Sequence, residues 1–354
     1  MSSLHNLKQP VKNFILRLTG TDTYHYLHKK QVLINIKVIE EFNAQKLTPQ
    51  FKKKADDYAI QVLGKKEYAP WLYVYTLVSG SFKEGWIPDN FFGRCVYPKV
   101  NKALTAVPEF KTFSNIVFKT DALPDIAYFI DNVFYNRDLN IININDLREI
   151  VGKSTAKVFV KQDYSKQGLG IIKLGVNDIN ADTIKKIGNC VIQSSIKQHD
   201  FFEQFISGSV ATISITTVKN LNGKINMRAS YLRLGRKDTA WIQSNNSIRA
   251  AIVNNDGELD TFGYTQDWKR WLKHPDTDVS FANKRIPQFK QAVETCIKLH
   301  ALIPHYTIIG WDMTIDHEDK VKLMEWNAGH CDIKFSEATT GPCFTGLNWE
   351  KLRN

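Results

Sequence analysis

Runs of apolar and alternating positions predict short β-strands through the centre of the chain. The run IAYFIDNVFYN, residues 126–136, indicates a strand, a turn and a second strand, and KVFVKQDYSKQGLGIIKL, residues 157–174, indicates two strands around a turn that contains glycine. The apolar run NCVIQSSI at 189–196 predicts another strand. Between residues 209 and 235, two β-rich runs flank NLNGK, which favours a hairpin.

The first 65 residues show a mainly helical pattern. In TPQFKKKADDYAIQVLG, Thr48 is placed to cap a helix, Pro49 suits the first helical position, and Gly64 is a stop signal. The next segment, WLYVYTLVSGSFKEGWIPDNFFG at residues 71–93, is aromatic and interrupted by Gly and Pro. We therefore predict that it forms short strands and a loop.

Two further helices are predicted among the strands. NINDLREIVGK, residues 143–153, has the pattern of a short capped helix, and residues 286–302 predict another, which a proline opens. No internal repeat or low-complexity linker divides the chain, so changes of pattern set the boundaries. These changes predict domains at 1–105, 106–195 and 196–354.

Composition restricts the class of protein. The chain has 354 residues, of which 43% are hydrophobic, which is enough for a substantial core. No apolar run reaches the roughly eighteen residues of a membrane helix, and the N-terminus lacks a signal-peptide pattern. The 5 cysteines form no CxxC pair and leave one over, which argues against a disulfide framework and a structural zinc site. We therefore expect a cytoplasmic globular protein with reduced thiols.

Charge indicates an anionic partner. The formal net charge is +11 and the isoelectric point is about 9.2, which favours a nucleotide, a phosphate-rich substrate, nucleic acid or an acidic membrane surface. A basic face that is merely solvated explains the same excess equally well. Charge alone therefore leaves the kind of partner open.

The segment VFVKQDYSKQGLGI places a lysine at the end of an apolar strand, before a polar loop. Lys161 supplies a charge, and the loop from Ser165, which includes Gly168 and Gly170, could surround a phosphate with backbone N–H groups. The pattern is not a P-loop, because no GK[ST] follows, nor a dinucleotide-binding turn, because a strand continues where a helix would begin. An ordinary hairpin with a surface lysine is the alternative.

Hard oxygen ligands occur inside the last predicted hairpin, GWDMTIDHEDKVKLMEWNAGH. Asp312 follows an apolar strand, while Glu325 and Asn327 are two positions apart on the next strand and therefore share a face. Antiparallel pairing would bring Asp312 alongside them. Two carboxylates and an amide oxygen suit Mg²⁺, and a divalent cation would remove the repulsion between the acids. The alternative is that these acids lie on an exposed surface.

Arginines in RASYLRLGRKDTAWIQSNNSIRAAI are candidates for holding a carboxylate or a transferring phosphoryl group. Arg233, Arg236 and Arg249 lie on or beside predicted strands, although structural ion pairs account for most such arginines. His199 and His330 have no partner at the spacing of a zinc site or a nucleophilic triad. The sequence thus indicates no covalent nucleophile.

These motifs occur in the order found in ATP-grasp enzymes, which the chain resembles. A lysine with a glycine loop, an apolar hinge, and then Asp and Glu-x-Asn on adjacent strands follow one another, and Asp312 precedes Glu325 by thirteen positions (325 − 312). More narrowly, the chain resembles the sugar-transfer-associated, or TupA-like, ATP-grasp group. The similar segments between about Trp86 and His330 are WIPDNFFGRCVYPKVN, PEFKTF, VFVKQDYSKQGLG, VIQSSIKQHDFFEQF, SYLRLG, KHPDTDVSF and the last hairpin.

The resemblance implies an α+β ATP-grasp fold, in which two α+β subdomains clamp ATP and Mg²⁺ bridges its phosphates, after a mainly helical or mixed N-terminal region. Residues 106–195 would then be the lid subdomain, and residues 196–354 the subdomain with the metal site. The residues that the resemblance assigns to the nucleotide are Lys111, Lys161, Ser165, Gly168, Gly170, Val191, Ile192, Gln193, Ser194 and Asp200. It assigns Asp312, Glu325 and Asn327 to the metal, and Arg233 and Arg249 to the reacting phosphoryl or acyl-phosphate group.

Some of these assignments carry further expectations. Residues 191–194 resemble the hinge that binds adenine through its backbone, and Asp200 or His199 would lie near the ribose. Two departures from the family pattern affect the substrate end: Ser214 stands where relatives often have Arg, and residues 247–249 replace an expected glycine pair. The first departure removes a cation from the expected acceptor pocket, and Arg249 would restore one.

The activity that the resemblance implies is ATP-dependent ligation of a carboxylate to an amine through an acyl-phosphate. An amino acid or amine joined to a sugar acid, or to another precursor of a cell-surface polysaccharide, fits the family association. A kinase that uses the same nucleotide site is the second hypothesis. The third is a basic module that binds nucleic acid or an anionic membrane surface. An ATP-grasp enzyme is not expected to bind nucleic acid, whereas peripheral contact with a membrane stays open.

Overall fold

The computed structural model describes residues 22–165, 170–237, 239–242 and 246–353. Its contacts define two compact units. The first comprises the described parts of Met1–Val96 and Asp332–Asn354 with Asp267–Arg270, and the second comprises those of Tyr97–Gln266 and Trp271–Cys331. Among the described residues, no helix combines the length and the apolar character that crossing a bilayer requires.

Helices occur in both units. In chain order they are α1 (Thr23–Phe42), α2 (Pro49–Gln61), α3 (Ala69–Ser79), α4 (Asp89–Phe91), α5 (Tyr97–Val100), α6 (Ser114–Phe118), α7 (Ile144–Ser154), α8 (Ala181–Ile187), α9 (Asp200–Glu203), α10 (Phe289–Leu302) and α11 (Lys334–Thr339). Short 3₁₀ segments lie at Lys66–Tyr68, Lys102–Glu109, Lys111–Phe113, Val176–Asp178 and Trp349–Leu352, and a π turn at Phe92–Val96.

The described part of the first unit is mainly helical. Helix α2 begins as predicted: Pro49 is its first residue, and the Thr48 hydroxyl accepts a hydrogen bond from the Phe51 N–H at 3.2 Å. This bond satisfies one of the N–H groups that every helix leaves without an internal partner at its start. The helix ends at Gln61, before the predicted stop at Gly64.

The strands predicted within residues 71–93 are wrong, because most of the apolar part of this segment forms helix α3. Pro70 lies in the first turn of α3, and Gly80 follows its end with a φ of 78°, the left-handed conformation typical of a helix terminus. A helix buried on all sides shows no polar face, so its apolar run resembles that of a strand. The residues of α3 that are at most 2% exposed are Ala69, Trp71, Leu72, Val74, Tyr75, Thr76 and Leu77.

A buried carboxylate joins two segments of the first unit. Glu337 in α11 is fully buried, and its two oxygens accept hydrogen bonds from the backbone N–H groups of Ile87, at 2.7 Å, and Cys343, at 2.6 Å. Burial raises the pKa of Glu337 to about 7, although the two hydrogen bonds favour its charged form. One titratable group therefore holds both segments.

We expect Glu337→Gln to lower the free energy of unfolding by about 1–3 kcal/mol at pH 5, because the glutamine NH₂ would meet a backbone N–H donor. The pH dependence should change too. The pKa of Glu337 is higher in the folded protein than its ordinary 4.5, so the folded state binds more protons between about pH 4.5 and 7. Wild-type stability from this group therefore falls as the pH rises through that window.

Chemical denaturation of wild type and Glu337→Gln at several pH values measures this effect. The difference in unfolding free energy should shrink from pH 5 to pH 8, because only the wild type titrates at this position. Glu84→Gln, an exposed change in the same unit, is the matched control and should leave both stability and its pH dependence unchanged. A difference in unfolding free energy that stays constant with pH would contradict the raised pKa of Glu337.

Six strands of the second unit form what we name the small sheet: β1 (Asp125–Ile130), β2 (Val133–Asn136), β3 (Ile141–Ile142), β4 (Lys157–Gln162), β5 (Ile171–Gly175) and β6 (Cys190–Ser194). They pair antiparallel in the order β3-β2-β1-β6-β4-β5. Both predicted hairpins, β1–β2 and β4–β5, are confirmed. The capped helix α7 is confirmed as well: the Asn143 side chain accepts hydrogen bonds from the Asn145 and Asp146 N–H groups. α7 packs on one face of the sheet, where Leu147 and Val151 join its core.

The large sheet contains β7 (Thr212–Lys219), β8 (Ile225–Leu234), β9 (Ile248–Ile252), β10 (Leu259–Tyr264), β11 (Arg270–Trp271), β12 (Ile308–Ile315) and β13 (Val321–Asn327), in the order β11-β10-β9-β8-β7-β12-β13. The predicted hairpins β7–β8 and β12–β13 are confirmed. In β7, Ile213 and Ile215 join the core beneath α10, so alternation places Thr212, Ser214 and Thr216 on the opposite face. That second face of the large sheet is therefore polar.

Helix α10 starts at Phe289, later than the residue 286 that the sequence predicts. Gln288, immediately before it, has a φ of 52°, which is outside the helical region. Its apolar side contributes Phe289, Ala292, Cys296 and Leu299 to the core of the large sheet. The polar face of that sheet is left for the site.

Candidate active site

A cleft in the second unit is bordered by the small and the large sheet. Its empty volume, including the solvent at its mouth, is about 890 Å³. Its lining includes Phe159, Lys161 and Gln193 from the small sheet and Arg233, Asp312 and Glu325 from the large sheet. The polar face of the large sheet thus meets the small sheet at an open cleft.

The predicted acidic cluster lies on this polar face. Asp312 and Glu325 are direct cross-strand partners, and Asn327 is the partner of Gly310, two positions along the same two strands. Burial raises the pKa of Asp312, while the nearby Arg233 guanidinium acts in the opposite direction. The strand register thus places the two acids side by side, with Asn327 two positions further along β13.

A β-bulge turns Glu325 towards the cleft. Strict alternation would put Glu325 on the same face as Leu323, which is fully buried in the core. The register shifts between Asp312 and Met313, so that Met324 is the extra residue on β13. Met324 lines the cleft, and its carbonyl accepts a hydrogen bond from the Lys161 ammonium at 3.1 Å.

Two lysines stand beside the acids. The Lys111 ammonium forms an ion pair with the Glu325 carboxylate. Burial lowers the pKa of Lys161, whereas the charge of Glu325 raises it and that of Lys111 lowers it further. A buried ammonium whose hydrogen bond goes to a neutral carbonyl is well suited to an anion such as a phosphate.

Asp163 joins the segments that carry the two lysines, a role that no local pattern predicts. One carboxylate oxygen accepts a hydrogen bond from the Thr112 N–H at 3.0 Å, and the other accepts one from the Thr112 hydroxyl at 2.8 Å. Thr112 follows Lys111 directly, and Asp163 lies two residues after Lys161. The only signal in the sequence is its position beside a candidate lysine, which also fits many surface acids.

The polar loop after β4 is described only at its two ends, and Gly168 lies outside the described residues. The Ser165 hydroxyl donates to the Gln162 carbonyl at 2.6 Å, and the Gln162 N–H donates to the Gly170 carbonyl at 3.0 Å. A Cβ at position 170 would overlap the Ser165 side chain. This close approach requires glycine at the point where the loop rejoins the sheet.

The structure corrects the predicted hinge. Val191 and Ile192 are buried in β6, which pairs with β1 on one side and β4 on the other, so their peptide groups are used within the sheet. They cannot also bind adenine through the backbone. Of the four predicted residues, Gln193 and Ser194 line the cleft, and Ile196 does so after the strand has ended.

Asp200 does not line the cleft. It is the first residue of α9, where the His199 side chain caps the helix by accepting a hydrogen bond from the Phe201 N–H at 2.9 Å. The His199 Nε2 also lies 3.4 Å from the Oδ1 of Asp319, in the turn of the last hairpin. These contacts account for both residues as parts of the fold, and the ribose assignment stays a prediction.

The candidate arginines divide into two kinds. Arg233 and Arg249 are cross-strand partners and therefore lie on the same face, but only Arg233 lines the cleft, and Arg249 is 3% exposed. Arg236 instead forms a bidentate ion pair with Asp276, at 2.7 and 2.8 Å. Arg236 thus has the structural role that was the alternative for all three.

The donor set fits a magnesium nucleotide better than a transition metal. No group of three or more His, Cys, Asp or Glu in the described ranges is arranged to hold a metal ion. Two carboxylates and an amide oxygen leave coordination positions for water and phosphate oxygens, which is how Mg²⁺ is usually bound. Lys111 and Lys161 beside them suit the phosphates.

A family model described as sugar-transfer associated ATP-grasp matches residues 137–348. The chain belongs to this family. The matched residues, 212 in number (348 − 137 + 1), include β3 to β13 and all the candidate site residues except Lys111. No curated protein matches the chain significantly.

Solved ATP-grasp ligases show only distant similarity to the chain. PsnB complexed with a minimal precursor, Mg and ADP is 12% identical, with a TM-score of 0.42, over 72% of this chain and 60% of that one. VanG D-Ala:D-Ser ligase from Enterococcus faecalis is 10% identical, with a TM-score of 0.41, over 72% and 61%. N5-carboxyaminoimidazole synthetase from Staphylococcus aureus is 12% identical, with a TM-score of 0.40, over 68% and 52%. The chain thus spans less than two thirds of the length of these ligases.

Ser214, where the resemblance predicts an arginine, contacts the acidic pair. Its hydroxyl donates a hydrogen bond to the Asp312 carboxylate at 2.7 Å, and the two residues are cross-strand partners. The hydroxyl therefore fixes one oxygen of Asp312 and leaves the other for a ligand. A residue that orients a ligand in this way tunes metal affinity without touching the metal.

We expect Ser214→Ala to raise the Mg²⁺ concentration for half-maximal ATP turnover by about tenfold, while turnover at saturating Mg²⁺ changes little. Titrating Mg²⁺ at fixed ATP measures this. Thr216→Ala changes the next hydroxyl on the same face of β7 and is the control. If both variants shift the Mg²⁺ requirement equally, Ser214 has no special relation to Asp312.

Proposed function

We propose that the protein is an ATP-dependent ligase that joins a carboxylate to an amine and releases ADP and phosphate. The observation that carries this proposal is the group formed by Asp312, Glu325 and Lys161 at one cleft, with Lys111 paired to Glu325, in a chain of an ATP-grasp family. The cations suit phosphates and the acids suit Mg²⁺. If these residues served only the fold, we would expect the Lys161 ammonium to pair with a carboxylate rather than to donate to a carbonyl beside an open cleft.

The nucleotide would lie between the two sheets. Lys161 and Lys111 would bind its phosphates. The apolar Phe159 and Ile171 lining the same cleft suit the base, next to the point where the backbone leaves β6. We place the backbone hinge at residues 194–196, because Val191 and Ile192 are used within the sheet.

Asp312, Glu325 and Asn327 would hold Mg²⁺, which neutralises charge on the phosphates when it is bound. Lys111 now compensates the charge of Glu325. Were Glu325 to bind the metal instead, the Lys111 ammonium would be left to contact a phosphate.

The reaction would proceed without a protein nucleophile. The substrate carboxylate attacks the terminal phosphorus, ADP leaves, and the amine then attacks the acyl-phosphate carbon and displaces phosphate. Arg233, which lines the cleft, would hold the transferring phosphoryl group. Arg249, its buried partner on the same face, would add positive charge beside it. Positioning and electrostatics would supply most of the rate enhancement.

The acceptor that we propose is a sugar acid or another saccharide-linked carboxylate, and the donor an amino acid or a small amine, in the synthesis of a cell-surface polysaccharide precursor. The description of the family as sugar-transfer associated supports this choice. Two arginines on one face suit an acceptor with more than one negative charge. We place the reaction in the cytoplasm, where ATP is available.

Incubation with ATP, Mg²⁺ and paired libraries of carboxylates and amines tests the proposal. ADP release that requires one member of each library supports ligation. A stable phosphorylated product formed with a single partner would instead identify a kinase. Salt-sensitive binding to nucleic acid or anionic vesicles that survives Asp312→Asn, without ATP turnover, would identify a basic binding module.

A further inference from the structure

Helix α1 exposes large apolar side chains on the side that faces away from the core of its unit. Its buried residues recur at helical spacing and are Val32, Asn35 and Ile39. The exposed apolar residues elsewhere on the helix include Leu27, Leu33 and Ile34, which are 44%, 59% and 48% exposed. A surface helix ordinarily carries polar residues opposite its buried side, so α1 departs from the usual pattern.

Lysines alternate with these apolar residues. An α-helix turns about 100° per residue, so five positions fall within an arc of about 120° that lies opposite the buried residues. These positions are Leu27, Lys30, Leu33, Ile34 and Lys37. We name these five residues the α1 stripe, in which apolar and basic side chains share one face of the helix.

The charge of the α1 stripe has one sign. From Thr23 to Ile39, the helix contains three lysines and no Asp or Glu, and its two acids, Glu40 and Glu41, stand in the last turn. A lysine can lay its apolar stem along an apolar surface while its ammonium reaches a more polar layer. The stripe therefore fits a partner that is apolar inside and negatively charged at its surface.

A second copy of the chain fits this surface less well than a lipid bilayer does. Two stripes in contact would bring lysines together without acids between them, and burying unpaired ammonium groups is costly. A bilayer that contains anionic lipids accepts apolar side chains among its acyl chains and lysines at the level of its phosphates. The net charge of +11 adds to the attraction. The chemistry of the stripe thus favours lipid over protein.

We propose that the α1 stripe binds the surface of an anionic lipid bilayer, with the helix lying in the plane of the interface. The apolar residues of the stripe would enter the boundary between headgroups and acyl chains, and Lys30 and Lys37 would contact lipid phosphates. One short apolar stripe gives reversible binding, in contrast to a membrane-spanning helix. The proposal concerns the first unit alone and does not depend on the reaction proposed for the cleft.

Sedimentation of the full-length protein with lipid vesicles tests the proposal. Wild type should bind vesicles of equal parts phosphatidylcholine and phosphatidylglycerol, and added salt should weaken the binding because it screens the attraction. Ile34→Glu should lower the partition coefficient at least about tenfold, since it removes an apolar side chain from the interface and adds a negative charge. Lys30→Gln and Lys37→Gln should each lower it about fivefold.

Ile60→Glu is the matched control. Ile60 lies on α2 in the same unit and is 49% exposed, so the substitution makes the same change at a similar exposure outside the stripe. Its partition coefficient should stay close to that of wild type. Because Ile34 and Ile60 are both exposed, both variants should unfold at nearly the wild-type denaturant concentration. Lost vesicle binding would then not reflect a lost fold.

Several results would overturn the proposal. If wild type does not bind the mixed vesicles, or if Ile34→Glu binds them as well as wild type, the α1 stripe is not a membrane contact. An equal loss with Ile60→Glu would contradict the stripe as the specific surface. Self-association in light scattering that Ile34→Glu abolishes, without vesicle binding, would identify a second copy as the partner. Should a glutamate variant fail to fold, unchanged binding of Lys30→Gln and Lys37→Gln would still refute the proposal.

Discussion

Replacing Asp312 by Asn should lower ATP-dependent turnover about a thousandfold at saturating substrate. The substitution keeps the shape of the side chain, and an amide oxygen can still accept the hydrogen bond from Ser214. It removes one of the two negative charges that would hold Mg²⁺. The main loss should therefore be in metal-dependent chemistry rather than in folding.

The fold is expected to tolerate this change well. Burial raises the pKa of Asp312, which means that its surroundings already disfavour the charged form. A neutral side chain of the same size should keep the free energy of unfolding within about 1 kcal/mol of wild type, or increase it. Turnover, Mg²⁺ dependence and denaturant unfolding measured on the same preparation separate the two effects.

Asp319→Asn is the matched control, because it makes the same charge change in the turn of the same hairpin. Asp319 has a φ of 61°, a conformation that Asn adopts readily, and its side chain is 56% exposed. We expect no loss of turnover. If Asp312→Asn keeps wild-type turnover and the same Mg²⁺ requirement, then the acidic pair is not a metal site.

Features that neighbouring residues determine could be predicted from the sequence. The cap of α2 at Thr48, the cap of α7 at Asn143 and the turn between β1 and β2 all depend on residues a few positions apart. The spacing of Glu325 and Asn327 likewise reflects the period of a strand, whereas the bulge that brings Glu325 beside Asp312 was not predicted. Such signals survive without knowledge of the rest of the fold.

Features that depend on distant partners were missed or wrongly predicted. Asp163 acts through hydrogen bonds to Thr112, 51 positions away, so no local spacing reveals it. The helix α3 was predicted as strands because its burial on all sides removes the polar face.

Strand pairing explains the correction at the hinge. The sequence locates β6, but it does not show that both edges of Val191 and Ile192 are paired. A strand at a sheet edge would have left one row of peptide groups for adenine. Only the strand order, with β6 between β1 and β4, excludes that arrangement.

Lys161→Met should lower ATP turnover about a thousandfold. The same substitution should make the folded protein more stable. The Lys161 side chain is partly buried, and its pKa is lowered chiefly by the loss of solvent around the ammonium. Met has a similar length and carries no charge, so we expect the free energy of unfolding to rise by about 1 kcal/mol at pH 7. A residue kept for function rather than stability should behave in this way.

The pH dependence gives this prediction a second readout. Because the pKa of Lys161 is lower in the folded than in the unfolded protein, the unfolded state binds more protons between the two values, and wild-type stability rises with pH through that window. The advantage of Lys161→Met should therefore narrow at alkaline pH in denaturant unfolding. Lys157→Met, which changes an exposed lysine on the same face of β4, should show neither effect. If Lys161→Met is less stable than wild type, then Lys161 stabilises the fold, and its position is not explained by phosphate binding alone.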